Sequence, residues 1–239
     1  MVGKVTTPQL VLFDIDGTLI YHAGSYVESE ERFKEVIRSV WGVAVDFDFA
    51  SVRGSIDRAI AWDLVKEKGV TKEEYERKFP DYSQALKQYL TQRAKRERVY
   101  FPVPEAKLLV ETLSRMEDIT LGILTGNVER VAWWKLSYTG YRTYFRFGVF
   151  GDEADSRILL AHRIQQKAKD FFRHEFQPRA ITVIGDTIYD LRAGRAIGAK
   201  TIAVATGGHS ALGVLAKEKP DLAVETLADN RVLSVIRGE

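Results

Sequence analysis

Gln9-Leu10-Val11-Leu12-Phe13-Asp14-Ile15-Asp16-Gly17-Thr18 decides the fold, because an unbroken apolar run stops abruptly at two aspartates and a glycine turn. That pattern reads as a strand buried on both faces that emerges into a polar loop. Similar runs recur downstream. They are Ile119 to Leu124 before Thr125-Gly126-Asn127, Phe147 to Phe150 before Gly151-Asp152, Ala180 to Ile184 before Gly185-Asp186, and Lys200 to Ala205 before Thr206-Gly207-Gly208. Helical patterns lie between most of them, at about 104–117, 127–139, 156–173 and 187–197. Strands apolar on both faces and alternating with helices predict an α/β fold, a doubly wound parallel sheet covered by helices on both sides.

The rhythm breaks once. Between the first strand and the helix that opens near Pro104 lie about 80 residues whose apolar spacing is helical throughout. Phe33, Val36, Ile37, Val40 and Trp41 follow one buried helix face, as do Ile56, Ile60 and Leu64, and then Tyr82, Leu86, Tyr89 and Leu90. Gly42, Gly69 and Pro80 are the expected breaks. The reading is a core domain of residues 1–22 and 101–239 with an inserted helical subdomain, 23–100, hinged around 20–26 and 99–103.

Composition narrows the function. The 239 residues carry 35 Lys+Arg against 33 Asp+Glu, a net charge of +2, which is too balanced for a protein that coats nucleic acid or an anionic membrane. With no cysteine there is no disulfide framework, thiol nucleophile or Cys-ligated metal, so any metal is held by oxygen or histidine. No stretch reaches the roughly 20 apolar residues of a membrane span, and the N-terminus does not read as a signal peptide. The expectation is a cytoplasmic protein that acts on a small molecule, without nucleic-acid or membrane partners.

In an open parallel sheet, ligands bind beyond the carboxyl ends of the strands, where the strand order reverses. Those ends deliver Asp14 and Asp16, Thr125 and Asn127, and Asp186 and Asp190. Four carboxylates on one rim repel one another unless a cation joins them. The all-oxygen set points to Mg²⁺, a hard ion that prefers carboxylates, waters and phosphate oxygens. A carboxylate attacking phosphorus needs such an ion to offset the phosphoryl charge. Asp14 is then placed to be the nucleophile, forming an aspartyl-phosphate, and Asp16 to serve as general acid and base. Gly126 and Asn127 open the next helix, whose free N–H groups favour an anion.

Phe13-Asp14-Ile15-Asp16-Gly17-Thr18-Leu19, Leu124-Thr125-Gly126-Asn127 and Gly185-Asp186-Thr187-Ile188-Tyr189-Asp190 resemble motifs one, two and four of the haloacid dehalogenase-like hydrolase superfamily. The resemblance covers nearly the whole chain and is nearest to the phosphoglycolate phosphatase-like branch. It implies a Rossmann-like core with a helical cap, and a phosphatase acting on a small phosphate monoester, with phosphoglycolate as a candidate. It further implies that Asp14, the carbonyl of Asp16 and Asp186 hold Mg²⁺ with Asp190 in support, and that Thr125 binds the phosphoryl oxygens. The third motif departs from the family pattern. A Lys, often followed by Pro, is usual there, whereas this chain has Gly151-Asp152-Glu153-Ala154-Asp155-Ser156-Arg157. Arg157 is the expected phosphate clamp, with Lys167 or Lys169 as substitutes. In the cap, Arg53-Gly54-Ser55-Ile56-Asp57-Arg58 occupies the place of a related substrate-facing stretch, which makes Arg53 or Arg58 the expected reader of a substrate carboxylate. Two other readings are a phosphomutase, disfavoured because Tyr26 stands where such relatives carry His, and an idle binding module, disfavoured because every motif acid is kept.

Overall fold

The computed structural model describes residues 7–23, 26–52, 54–208 and 210–239. Six parallel strands form its main sheet: β1 (Gln9–Phe13), β4 (Ile119–Leu124), β5 (Phe147–Val149), β6 (Ile181–Gly185), β7 (Lys200–Val204) and β8 (Leu222–Val224). A separate antiparallel ribbon pairs β2 (Ile20–His22) with β3 (Tyr100–Pro102). The main order is β5-β4-β1-β6-β7-β8. The chain therefore builds outward from β1 in one direction through β4 and β5, then returns to the other side of β1 through β6, β7 and β8. The reversal falls between β1 and β6, so the ends of these two strands flank the crevice that such a sheet leaves open.

Alternation within β1 explains its unbroken apolar run. Leu10 and Leu12 enter one core, while Val11 and Phe13 enter the other. Successive strand residues point to opposite faces, and here both faces are covered. On the Val11 side lie α5 (Pro104–Leu113), α6 (Glu129–Tyr138) and α10 (Arg231–Arg237). On the Leu10 side lie α7 (Arg157–Phe172) and α8 (Ile188–Ala196). The short α9 (Leu212–Lys217) packs Leu215 with Leu191 and Ala203.

The helical insertion leaves through β2 and returns through β3, with Tyr21 stacked on Phe101 at 5.4 Å. It comprises α1 (Tyr26–Trp41), α2 (Phe49–Val52), α3 (Asp57–Lys66) and α4 (Lys72–Ala94). Trp41 on α1 stacks on Tyr75 of α4 at 5.5 Å and leans on Tyr82, giving the insertion an aromatic core of its own. Gly42 and Gly69 follow α1 and α3 as expected. Pro80 corrects the sequence reading, because it lies inside α4 rather than ending it. Its ring removes one N–H from the helix ladder. The buried stripe of Tyr75, Phe79, Tyr82, Leu86 and Leu90 continues through it and holds the helix to α1. The edge strand β8 was not anticipated, since three residues carry too little periodicity to read. None of the helices among the described residues is long and apolar enough to cross a membrane.

Candidate active site

Backbone pairing places Asp14 first. Its N–H donates to the carbonyl of Ile184 at 3.0 Å, extending the β1–β6 ladder to the lip of the crevice. Asp186, one residue past β6, and Asp190, in the first turn of α8, approach from the other wall. One carboxylate oxygen from each of Asp14, Asp186 and Asp190 lies within 4.8 Å of the others, and all three residues are buried. Thr187 caps α8 reciprocally with Asp190: the Thr187 N–H and hydroxyl donate to Asp190 Oδ2 at 3.1 and 2.6 Å. This fixes Asp190 and leaves Oδ1 to turn inward.

Arg157, the first residue of α7, meets that inward oxygen. Its Nη1 donates to Asp190 Oδ1 at 2.8 Å, to Asp14 Oδ1 at 3.2 Å and to the Leu124 carbonyl at 3.4 Å. Burial pushes the Asp14 carboxyl up to about 6, a rise that Arg157 only partly offsets. Burial also raises Asp190, again against Arg157. One guanidinium thus faces three crowded acids, and the oxygen donors fit a hard divalent cation, which would neutralise the surplus charge.

Asp16 turns elsewhere. Its carboxylate accepts from Lys135 Nζ at 2.8 and 2.7 Å and from Asn127 Nδ2 at 2.7 Å. Burial alone would raise its pKa, but the ammonium and the amide hold it down at about 2. Lys135 also donates to Asn127 Oδ1 at 2.8 Å, so one cation braces the acid and the loop at once. Lys135 was missed in the sequence. The signal was present: it falls four residues after Val131 and one before Leu136, on the buried face of α6, where an unpaired lysine has no place.

The Thr125-Gly126-Asn127 loop is held by close backbone approach. A Cβ on Gly126 would meet the carbonyl oxygen of Ser55 at 2.6 Å, and one on Gly151 would meet that of Gly126 at 1.9 Å. Thr125 is fully buried, its hydroxyl accepting from Asn127 Nδ2 at 2.9 Å. Gly126 and Asn127 line the cavity, and Thr125 sits behind them.

That cavity, about 200 Å³, is floored by Asp14, Asp16, Gly126, Asn127 and Arg157 and roofed by the insertion through Arg32, Phe49, Val52, Ser55 and Ile60. The insertion is tied down on one side: the Asp57 N–H donates to the Gly126 carbonyl at 2.8 Å, and Asp57 Oδ2 accepts from the Val128 N–H at 3.2 Å. The expectation for the cap arginines changes here. Arg53 lies outside the described residues. Arg58 does not line the cavity; it is ion-paired with Glu76 and with Asp155, at 3.2 Å to the latter, and lies over the Phe79 ring. Two acids within reach draw it to the outer edge. Lys167 and Lys169 are likewise engaged away from the site, with Glu153 and Glu175.

No curated protein matches this chain. Among solved structures, it is similar to a "predicted phosphoglycolate phosphatase" from Haemophilus somnus 129PT, at 17% identity and TM-score 0.65, covering 97% of this chain and 99% of that one. A family IA, variant 3 hydrolase from Entamoeba histolytica HM-1:IMSS gives 18% identity and TM-score 0.66, covering 95% and 97%. CbbY from Rhodobacter sphaeroides, solved with phosphate, gives 13% identity and TM-score 0.66, covering 96% and 99%. At these identities the likeness is one of fold. A family model matches residues 8–198, which span β1, the helical insertion and every acid of the site. The chain belongs to the haloacid dehalogenase-like hydrolases.

Proposed function

We propose that this hydrolase is a Mg²⁺-dependent phosphatase that cleaves small phosphate monoesters through an aspartyl-phosphate on Asp14. The observation that carries the reading is the buried meeting of Asp14, Asp186 and Asp190 oxygens within 4.8 Å at the sheet's reversal point. Asp14 and Asp186 would hold the ion with Asp190 in support, together with the Asp16 carbonyl that the family pattern supplies. When bound, the ion withdraws charge from the phosphoryl oxygens and keeps Asp14 ionised.

Asp14 attacks phosphorus, the bond to the ester oxygen breaks, and the phosphoryl group passes to the Asp14 carboxylate. Arg157 offsets the charge of Asp14 and orients it. The Gly126–Asn127 turn lines the cavity and would receive the anion, while the N–H groups of Val128 and Glu129 that follow it are taken by Asp57 and Asp152. Asp16 starts ionised. A monoester arriving as its monoanion, with a second pKa of about 6, carries a proton that Asp16 relays to the leaving oxygen. The ionised Asp16 then takes a proton from the water that attacks the aspartyl-phosphate, the bond from phosphorus to Asp14 breaks, and the proton leaves with the departing phosphate, restoring both carboxylates. The cavity is below the roughly 300 Å³ at which drug-sized ligand pockets begin, which favours small esters over phosphoproteins.

The test is release of p-nitrophenol from p-nitrophenyl phosphate with and without Mg²⁺. Wild-type protein is expected to be active with the ion and silent with EDTA, and Asp14→Asn to lose at least about 10³-fold, the scale of a lost nucleophile. Activity surviving in Asp14→Asn would remove the covalent route. No activity in wild-type protein with any divalent ion would remove the phosphatase reading.

A further inference from the structure

The roof of the cavity mixes hydrocarbon with the polar side chains of Ser29, Ser55 and Asp57, and among the described residues of the insertion only Arg32 brings a cation to it. Phe49, Val52 and Ile60 present hydrocarbon, and Arg32, on α1, presents a guanidinium. Arg32 is held from two sides. Its Nη1 donates to the Tyr100 hydroxyl on β3 at 3.4 Å, and its carbon centre lies 5.0 Å from the Phe33 ring. Its Nε is buried and makes no hydrogen bond. Among the described residues, no carboxylate forms an ion pair with it.

A buried guanidinium donor with nothing to receive it is costly, the more so because the group is charged. Proteins tolerate that where a ligand completes the pairing. The catalytic acids and Arg157 lie on the floor, so a small ester with its phosphoryl group there extends its other end toward Arg32. We infer that Arg32 binds a carboxylate on the far end of the substrate. This rests on the phosphatase reading and names the class of ester it takes.

A carboxylate is favoured over a second phosphate by shape and by charge. The planar fork of a guanidinium matches the two oxygens of a carboxylate. Burial works against the charge of Arg32, while Asp57 on α3 and Asp16 on the floor raise its pKa, and Lys135, the neighbouring cation of the cavity, is itself paired with Asp16. Two acids already share the two cations there, so the single charge of a carboxylate meets less repulsion than the two of a phosphate. Arg32 thereby takes the role that the sequence suggested for Arg53 or Arg58. On the sequence it hides as an ordinary polar position of an amphipathic helix, beside the buried Phe33.

The experiment compares matched esters. Phosphoglycolate and ethyl phosphate differ chiefly in the carboxylate, and ethylene glycol bisphosphate replaces it with a phosphate. Wild-type kcat/KM with Mg²⁺ is expected to favour phosphoglycolate over ethyl phosphate by about 100-fold, and Arg32→Gln to cut that ratio at least about 30-fold, in keeping with loss of a bidentate charged pair. Arg32→Lys, which keeps the charge and loses the fork, is expected to fall between. A merely structural Arg32 would lower both rates and leave the ratio alone. A wild-type ratio near one, a ratio unmoved in Arg32→Gln, or a preference for the bisphosphate overturns the assignment. Calorimetric binding of the same esters to Asp14→Asn, alone and combined with Arg32→Gln, reads the preference without turnover. Failure of the phosphatase reading would then show as bound but uncleaved ester, whereas failure of the Arg32 assignment would show as equal binding of both esters.

Discussion

Among single residues, Lys135 has the broadest reach, because one ammonium touches both Asp16 oxygens and Asn127. Replacing it with Met leaves the general acid/base without its counter-charge and removes the donor that braces the loop. We expect Lys135→Met to lower kcat on p-nitrophenyl phosphate by about 10²-fold, the scale on which acid–base positioning acts. KM should change less, since Arg157 is untouched. Stability should fall by about 1–3 kcal/mol, less than for a wholly buried pair, because the Asp16 side chain keeps 34% of its exposure. Steady-state kinetics and thermal melts check the two parts separately. A drop in stability with kcat intact would reduce Lys135 to a packing residue.

At the scale of elements, α4 contains a contradiction of its own. Pro80 stands in the middle of a helix that runs from Lys72 to Ala94, exposed to solvent, and forfeits one backbone hydrogen bond. The helix survives because its aromatic stripe is packed on α1, so tertiary burial outweighs a local cost of about 3 kcal/mol. Pro80→Ala restores the N–H without disturbing that stripe. It should stabilise the protein by about 1–3 kcal/mol, or several degrees in Tm at this chain length, with kcat/KM unchanged. A differential scan showing no gain would mean that the turn around Glu76 is already strained by its pairing with Arg58. The loop carrying Gly126 works in the opposite sense, being held by approach of Ser55 and Gly151 rather than by its own propensity. Gly151→Ala would force the two backbones apart, and we expect at least about 10²-fold loss of kcat/KM, since small misplacements at a reacting centre are that costly.

Over the whole molecule, the acids make stability depend on pH and on the ion together. Burial raises Asp14 from 3.8 to about 6, so in the metal-free protein its contribution is intact below pH 4 and is lost as pH rises through about 6. In EDTA at pH 8, Asp14→Asn should therefore melt above the wild type by about 1–3 kcal/mol, with the gap closing below pH 4. Saturating Mg²⁺ should reverse the order, because the ion binds the folded wild type and not its unfolded chain. Equal melting of the two proteins at pH 8 in EDTA would mean that Arg157 fully compensates the buried acid. The arrangement behind these expectations divides cleanly by origin. The main sheet short of its edge strand β8, its helices, and the strand-end positions of residues 14, 125–127 and 186 are legible in the chain, since each follows from an apolar run and the polar residue that ends it, whereas Arg157 is reached only through the resemblance of the third motif. Those signals are local, and a strand buried on both faces leaves its ends little choice of place. Lys135, Arg32 and the outward pull on Arg58 are not legible in that way. Each depends on which opposite charge lies nearest once segments up to 119 residues apart are packed, as for Lys135 and Asp16. Electrostatic pairing is decided by distance in space, and only the folded chain sets that distance.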